Sequence, residues 1–384
     1  MSLVLRRLEL CEFRNYPHFL LEDLGMLTIF VGPNAVGKTN VVEAVQLMTA
    51  LTSFRHPKIE HLVMQGAENG RVEARFSDEN RLLDLQLSLQ PGKRSYQLNG
   101  KAKRPADLRG LLPCVTFTPD DLGLVKGSIG ARRTALDDLG AQLSANHQVI
   151  RRDYENVIRH KNALLKEEAS DDLLWSINQM VVTCGAQLCC YRNALFAKLS
   201  KHLGEAYRSL TDSSEEVGYR YVPSWAALGD APSPEPSGNL HEDALFGRDE
   251  ARSLISASLE KHTAEERARG RSVVGPHADR VEFFLQGRDA SVFASQGQQR
   301  SLVLAWKLAE VALVEEMLGQ RPLLLLDDVM SELDAQRRNR LIDFIQDDIQ
   351  VMITTTTPEY FTADIIDRAQ MINLPQKEVS RETS

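Results

Sequence analysis

Residues 27–42 read Leu-Thr-Ile-Phe-Val-Gly-Pro-Asn-Ala-Val-Gly-Lys-Thr-Asn-Val-Val, and the rest of the 384-residue chain is organised around them. The β-branched run Leu27–Val31 predicts a buried strand. It breaks at Gly32-Pro33, and a helix-compatible run resumes at Lys38. Between them lies G-x-x-x-x-G-K-T, with Gly32, Gly37, Lys38 and Thr39 at the fixed positions. In this strand–loop–helix context the pattern is a phosphate-binding loop. Glycines let the backbone N–H groups curl onto an anion, and the helix that follows aims its positive end at the same point. Lys38 supplies a point charge for the β- and γ-phosphates, and the Thr39 hydroxyl is placed for Mg²⁺.

Length and composition bound the answer. The chain exceeds one ordinary core, so two or three domains are expected. With 43% hydrophobic and 26% charged residues it is globular. No apolar run is read as long enough to cross a bilayer, and the N-terminus does not read as a secretory signal. Five scattered cysteines without metal spacing predict reduced thiols and a cytoplasmic protein. The net charge of −8 excludes a chain coated in cations but leaves room for a local basic face.

A second acidic element completes the nucleotide reading. Leu323–Asp328, LLLLDD, is a buried strand ending in two carboxylates. Asp327 suits Mg²⁺, and Asp328 suits orienting or deprotonating an attacking water. Upstream, Ser295-Gln296-Gly297-Gln298-Gln299-Arg300 opens a long amphipathic helix and forms a second phosphate-directed helix start. Two such starts in one chain predict that the second caps the nucleotide of another copy in a symmetric dimer. Two further segments stay open on local grounds. Phe13-Arg14-Asn15-Tyr16 is either an ordinary turn or a source of nucleotide contacts. The strand at 351–357 is either plain or carries a hydroxyl towards a γ-phosphate.

Between these halves the chain changes character. Residues 71–98 alternate as strands, and Asn99-Gly100 predicts a hairpin. Residues 91–109 hold six basic residues, Lys93, Arg94, Lys101, Lys103, Arg104 and Arg109, against the single acid Asp107. That surface is either a phosphate-contacting hairpin or a solvated edge. Residues 132–210 predict an antiparallel helical pair interrupted near 169–171, with basic clusters that include Arg132 and Arg133. A Pro-rich tether at 223–239 and a helix at about 241–270 follow. The expected domains are a head segment at 1–130, a helical arm at 131–270 and a second head segment at 271–384.

The ordered set FRNY, GPNAVGKT, SQGQQR, LLLLDDVMSELD and a threonine-ended strand resembles the ATP-binding-cassette head of the structural-maintenance-of-chromosomes class. The short arm, with PDDLGLVKGSIGARR and VVGPHAD, is similar specifically to the bacterial RecF family. The resemblance implies an α/β P-loop ATPase head of mixed sheets with flanking helices, carrying an inserted antiparallel helical arm. It implies ATP and Mg²⁺ as cofactors. Nucleotide contacts would come from Arg14, Asn15, Gly32, Asn34, Gly37, Lys38, Thr39, Asn40 and Thr355, metal contacts from Thr39 and Asp327, and hydrolysis from Asp328. Ser295, Gly297 and Gln298 would act in trans. On local charge rather than resemblance, the candidate DNA contacts are Lys93, Arg94, Lys101, Lys103 and Arg104 of the hairpin and Arg132 and Arg133 of the arm. The implied partners are double-stranded and gapped or junction DNA, RecR with RecO, and a second copy, in a pathway that loads RecA for recombinational repair, with no membrane partner. The chain departs from the pattern by lacking a recognisable Q-loop glutamine, for which Asp120 or Asp121 would substitute. A transporter ATPase subunit, a small-molecule kinase and a purely structural DNA-bridging ATPase are the competing classes. The inserted arm and the paired signature and acidic strand argue against the first two, and the short arm argues against the third.

Overall fold

The computed structural model describes residues 2–211, 215–232, 245–345 and 349–374. The chain forms two compact units, Met1–Asp121 with Val314–Ser384, and Leu122–Leu313.

The first unit contains two sheets. A six-stranded antiparallel sheet runs β2-β1-β4-β5-β6-β7, built from β1 (Val4–Phe13), β2 (Tyr16–Leu21), β4 (Gly70–Ser77), β5 (Leu82–Gln90), β6 (Lys93–Leu98) and β7 (Lys101–Lys103). A five-stranded parallel sheet runs β14-β3-β13-β12-β8, from β3 (Leu27–Val31), β8 (Cys114–Phe117), β12 (Leu323–Asp327), β13 (Val351–Thr355) and β14 (Gln370–Asn373). Helix α1 (Lys38–Thr49) contacts β12, β13 and β8 of one sheet and β4 and β5 of the other. It is therefore buried on nearly every side, from Val41 to Thr49. This explains why its apolar residues are not confined to a stripe. The antiparallel strands show the alternation that one core-facing side requires, as in β4, where Val72, Ala74 and Phe76 are buried. The parallel strands β12 and β13 are buried throughout, as expected of strands covered on both faces.

The hairpin predicted at Asn99-Gly100 joins β6 to β7, with φ of 49° and 74° at the two turn residues. A strand absent from the sequence reading, β2, pairs with β1 through Phe13↔Tyr16.

The second unit holds the arm. Helices Ala145–Lys166 and Asp171–Leu210 pack together, and the predicted break falls at residues 167–170. Helix Arg248–Arg269 packs on the longer of the two. The boundary expected at 270 does not separate units. Strand β9 (Val217–Val222) pairs with β10 (Arg280–Leu285), and β10 with β11 (Arg288–Asp289), so residues on either side of 270 share one sheet. The SQGQQR segment thus lies in the arm-bearing unit rather than in the head. Of the expected tether, residues 233–239 lie outside the described residues, and Ser224–Ala227 is a short helix with Trp225 buried. Contrary to the sequence reading, helix Asp171–Leu210 is long and apolar enough to span a membrane by composition. Its buried residues, such as Ile177, Val181, Ala186 and Leu199, form part of the unit's core.

Candidate nucleotide site

The site forms where parallel strands end. In register, Thr355 lies beside Val31, and Thr354 beside Asp327. The carboxyl ends of β3, β12 and β13 therefore meet at one edge, the position where open α/β sheets bind ligands. A cleft of about 310 Å³ opens there, lined by Asn34, Ala35, Gly37, Lys38, Thr39, Asn40, Arg55 and Asp328.

The loop is shaped by close approach. Gly37 is the residue before α1, at φ 111°, and a Cβ there would lie 2.7 Å from the Asn15 amide and from the Tyr16 hydroxyl. At Gly32 a Cβ would lie 2.3 Å from the carbonyl oxygen of Leu374, so this glycine is required by the chain leaving β14. No side chain caps α1, which leaves its first N–H groups directed at the cleft. The Lys38 ammonium donates to the carbonyls of Gly32 (2.6 Å) and Pro33 (2.9 Å) and is held across the loop mouth. Burial pushes its pKa down, opposed by the carboxylates of Asp328 and Asp327.

The two aspartates differ. Asp327 is buried and accepts hydrogen bonds from the hydroxyls of Thr354 (2.7 Å) and Thr39. Desolvation raises its pKa, against those hydrogen bonds. Asp328 sits at φ 53° in the left-handed region and is held there because its N–H reaches the Thr354 hydroxyl (2.9 Å). Burial raises its pKa too, against the attraction of Lys38. Its Oδ1 is buried without a hydrogen-bond partner, as is the Tyr16 hydroxyl beside Gly37. Burial pushes that phenol up to about 12. Two orphaned oxygens, a mouth-spanning ammonium, an uncapped helix start and a Thr–Asp pair together fit a magnesium-bound triphosphate.

Other expected contacts have different surroundings. Arg14 forks onto Glu43 (2.8 and 2.7 Å) and donates to the His61 carbonyl (2.8 Å), so its guanidinium braces α1. Asn15 donates to the Val36 carbonyl (3.1 Å) and accepts from the Asn40 amide (2.7 Å), fixing the loop from behind. The buried Thr355 hydroxyl donates to the Thr357 carbonyl (2.9 Å), while Thr354 serves the aspartates. Asp121 accepts from the Thr118 N–H (2.7 Å) and closes its own turn. Arg55 was missed. It lies six residues past α1 in an irregular segment with no sequence signal, yet it lines the cleft and donates to the Asn40 side chain (2.8 Å). Glu43 was missed as well, although a carboxylate inside an apolar helix demands partners.

In the second unit, Ser295 and Gln298 cap each other. The Ser295 N–H donates to the Gln298 side chain (2.8 Å), and the Gln298 N–H donates to the Ser295 hydroxyl (3.3 Å). Ser295 is exposed and Gly297 half-buried. Lys93, Arg94, Lys101, Lys103 and Arg104 are exposed on the edge hairpin, with Arg104 paired to Asp107. Arg132 and Arg133 correct the sequence reading. Arg132 is 5% exposed, stacks over Phe283 and donates to the carbonyls of Leu124, Val125 and Val281. Arg133 is half-buried and donates to the Asp279 carbonyl. Arg132 offers no guanidinium surface to a phosphate backbone, and Arg133 is tied to the interior by one hydrogen bond while remaining partly accessible.

Comparison with known proteins agrees with this geometry. The family model described as the RecF/RecN/SMC N terminal domain matches residues 4–380. The DNA replication and repair protein RecF of Cyanothece sp. (strain PCC 7425 / ATCC 29141) is 36% identical over 379 residues, covering 96% of each chain. The chain belongs to the RecF family. The RecF of Thermosynechococcus vestitus (strain NIES-2133 / IAM M-273 / BP-1) is 38% identical over 96% of this chain and 95% of its own. A solved structure described as the recombination mediator protein RecF-ATPrS in the RecFOR pathway superposes with a TM-score of 0.83, covering 94% of both chains at 26% identity. An Smc head bound to the C-winged helix domain of ScpA superposes with a TM-score of 0.53 at 16% identity, covering 96% of this chain and 93% of that one, which shows a shared fold.

Proposed function

We propose that this RecF-family chain is an ATP-switched DNA-binding protein of recombinational repair, in which two copies enclose nucleotide. The observation that carries the reading is the convergence of Lys38, Thr39 and Asp328 on one cleft, with Asp327 hydrogen-bonded to Thr39, and an exposed Ser295 at a helix start available to a second copy. Lys38 would turn from its loop carbonyls to the β- and γ-phosphates, and the α1 N–H groups would receive phosphate oxygens. Thr39 and Asp327 would hold Mg²⁺, which supplies charge neutralisation at the transferring phosphoryl group. Asp328, with one oxygen unpartnered, would orient the water and accept its proton. Asn15, Asn34, Asn40 and Arg55 would shape the cleft, and Arg14 would act by bracing the helix. Ser295, Gly297 and Gln298 would close on the partner's nucleotide, and loss of the γ-phosphate would release them.

DNA contact is assigned to Lys93, Arg94, Lys101, Lys103 and Arg104 on the edge hairpin. Those side chains contact phosphates rather than bases, so binding to duplex, gapped or junction DNA would be salt-dependent and indifferent to sequence. RecR with RecO, and through them RecA, are the partners this reading implies, with slow hydrolysis acting as a timer in the cytoplasm.

Light scattering with ATP and Mg²⁺ tests the assembly. Ser295→Arg should leave nucleotide binding intact and abolish the ATP-dependent dimer, whereas Lys38→Met should lose both. Wild-type-like dimers of Ser295→Arg would defeat the trans-capping reading, and DNA retention that ignores ATP would defeat the switch.

A further inference from the structure

The outward face of the β1–β2 hairpin carries a cluster that nucleotide chemistry does not use. Cys11 and His18 stand directly opposite each other across the antiparallel pair, and Glu9 lies two residues along the same face of β1. The His18 Nε2 lies 2.9 Å from Glu9 Oε1, and the Cys11 Sγ lies 3.9 Å from the same oxygen. One donor atom from each residue falls within 4.8 Å of the other two. Arg7 holds the other carboxylate oxygen, Oε2, at 2.6 Å and so turns Oε1 towards the pair. A tetrahedral zinc site has ligands at about 2.0–2.3 Å, which places donor atoms roughly 3.3–3.8 Å from one another. The Glu9–His18 and Glu9–Cys11 separations lie within about half an ångström of that range, and the Cys11–His18 separation, up to 4.8 Å, closes by about an ångström as the exposed His18 side chain rotates. The Arg71 guanidinium donates to the Cys11 Sγ at 3.7 Å and holds the sulfur on this face of the hairpin.

We propose that Glu9, Cys11 and His18 form a binding site for a borderline-soft divalent cation, Zn²⁺ foremost, with its fourth position open to solvent. Sulfur, imidazole and carboxylate together select zinc over the hard magnesium ion of the nucleotide cleft. The open position follows from the exposure of His18, whose side chain is 59% accessible. The site would tie edge strand β2 to β1 close to the turn at Arg14-Asn15, whose Asn15 amide reaches the phosphate loop. Metal binding would therefore stiffen the support of the nucleotide site without entering it.

Cobalt titration of the full-length, metal-free protein tests this, in the absence of nucleotide, which itself chelates zinc. One equivalent of Co²⁺ should produce a thiolate-to-cobalt charge-transfer band in the near ultraviolet, and one equivalent of Zn²⁺ should abolish it. Cys11→Ser and His18→Ala should each lose the band while keeping the wild-type circular dichroism spectrum, and Cys190→Ser should keep the band. Hydrogen exchange of residues 14–21 should slow on adding Zn²⁺ in the wild type and stay unchanged in Cys11→Ser. A protein that shows no thiolate band, or a band that survives in Cys11→Ser, overturns the proposal.

Discussion

Replacing Arg14 by alanine separates the two readings of the Phe13–Tyr16 turn. In the structure its guanidinium makes two short hydrogen bonds to Glu43, a carboxylate with no solvent exposure at the centre of the unit's core helix. Removing one partner from a buried ion pair costs about 3–5 kcal/mol, because the remaining charge stays desolvated. Glu43 keeps the Ser53 hydroxyl at 2.6 Å and Arg55 at 3.4 Å, so the loss falls near the lower end, about 3 kcal/mol. At about 1.4 kcal/mol per factor of ten, that is roughly a hundredfold. The readout is hydrogen exchange by mass spectrometry on peptides covering α1, measured without nucleotide. Protection of residues 38–49 should fall roughly a hundredfold in Arg14→Ala and by less in Arg14→Lys, which keeps the charge and loses the fork. Arg104→Ala, at an exposed pair, should leave α1 unchanged. Undiminished α1 protection in Arg14→Ala, together with weakened ATP binding, would refute the bracing argument and return Arg14 to the ligand.

Three further outcomes follow from the same geometry. Arg55→Ala should weaken binding of a fluorescent ATP analogue by about ten- to a hundredfold, the range for losing a hydrogen bond to a charged group, with little change in unfolding. Gly37→Ala should abolish that binding, because its Cβ collides with Asn15 and Tyr16 at a positive φ, and isothermal titration reports it directly. His277 is half-buried, accepts at Nδ1 from the Tyr154 hydroxyl (2.7 Å) and donates from Nε2 to the Ser272 carbonyl (3.1 Å), and desolvation of its ring lowers its pKa to about 4. The unfolded chain therefore binds the proton first, so this contribution is complete above about pH 6.5 and is lost as the pH falls towards 4, by about 3 kcal/mol. Urea titrations followed by tryptophan fluorescence report it, since Trp175, Trp225 and Trp306 all lie in the second unit, and His277→Gln should flatten the pH dependence.

The phosphate loop and acidic strand were legible because their chemistry is local: a fixed spacing of glycines, a lysine and carboxylates performs one task in one backbone geometry. The helical pair and the Asn99-Gly100 hairpin were legible for the same reason, since periodicity and turn chemistry act over a few residues. What could not be read depends on which residues meet across long separations. Arg132 and Arg133 form a basic pair in the sequence, yet the carbonyl of Val281, far along the chain, takes Arg132 into the interior, and that of Asp279 ties down the half-buried Arg133. Thr354 and Thr355 are adjacent in a run of threonines, and only the register with β12 decides which hydroxyl serves Asp327. The domain edge at 270 was misplaced because β9 and β10 pair across it.

The contact between Gly32 and Leu374 couples the edge strand of the parallel sheet to the phosphate loop. The Leu374 N–H donates to the Val31 carbonyl (2.8 Å), and the Leu374 carbonyl oxygen occupies the space a Cβ at position 32 would need. β14 lies at the edge of its sheet, so its seating and the shape of the loop change together. Peeling of that one strand would free the first glycine of the loop and loosen the nucleotide site without touching any residue that lines it.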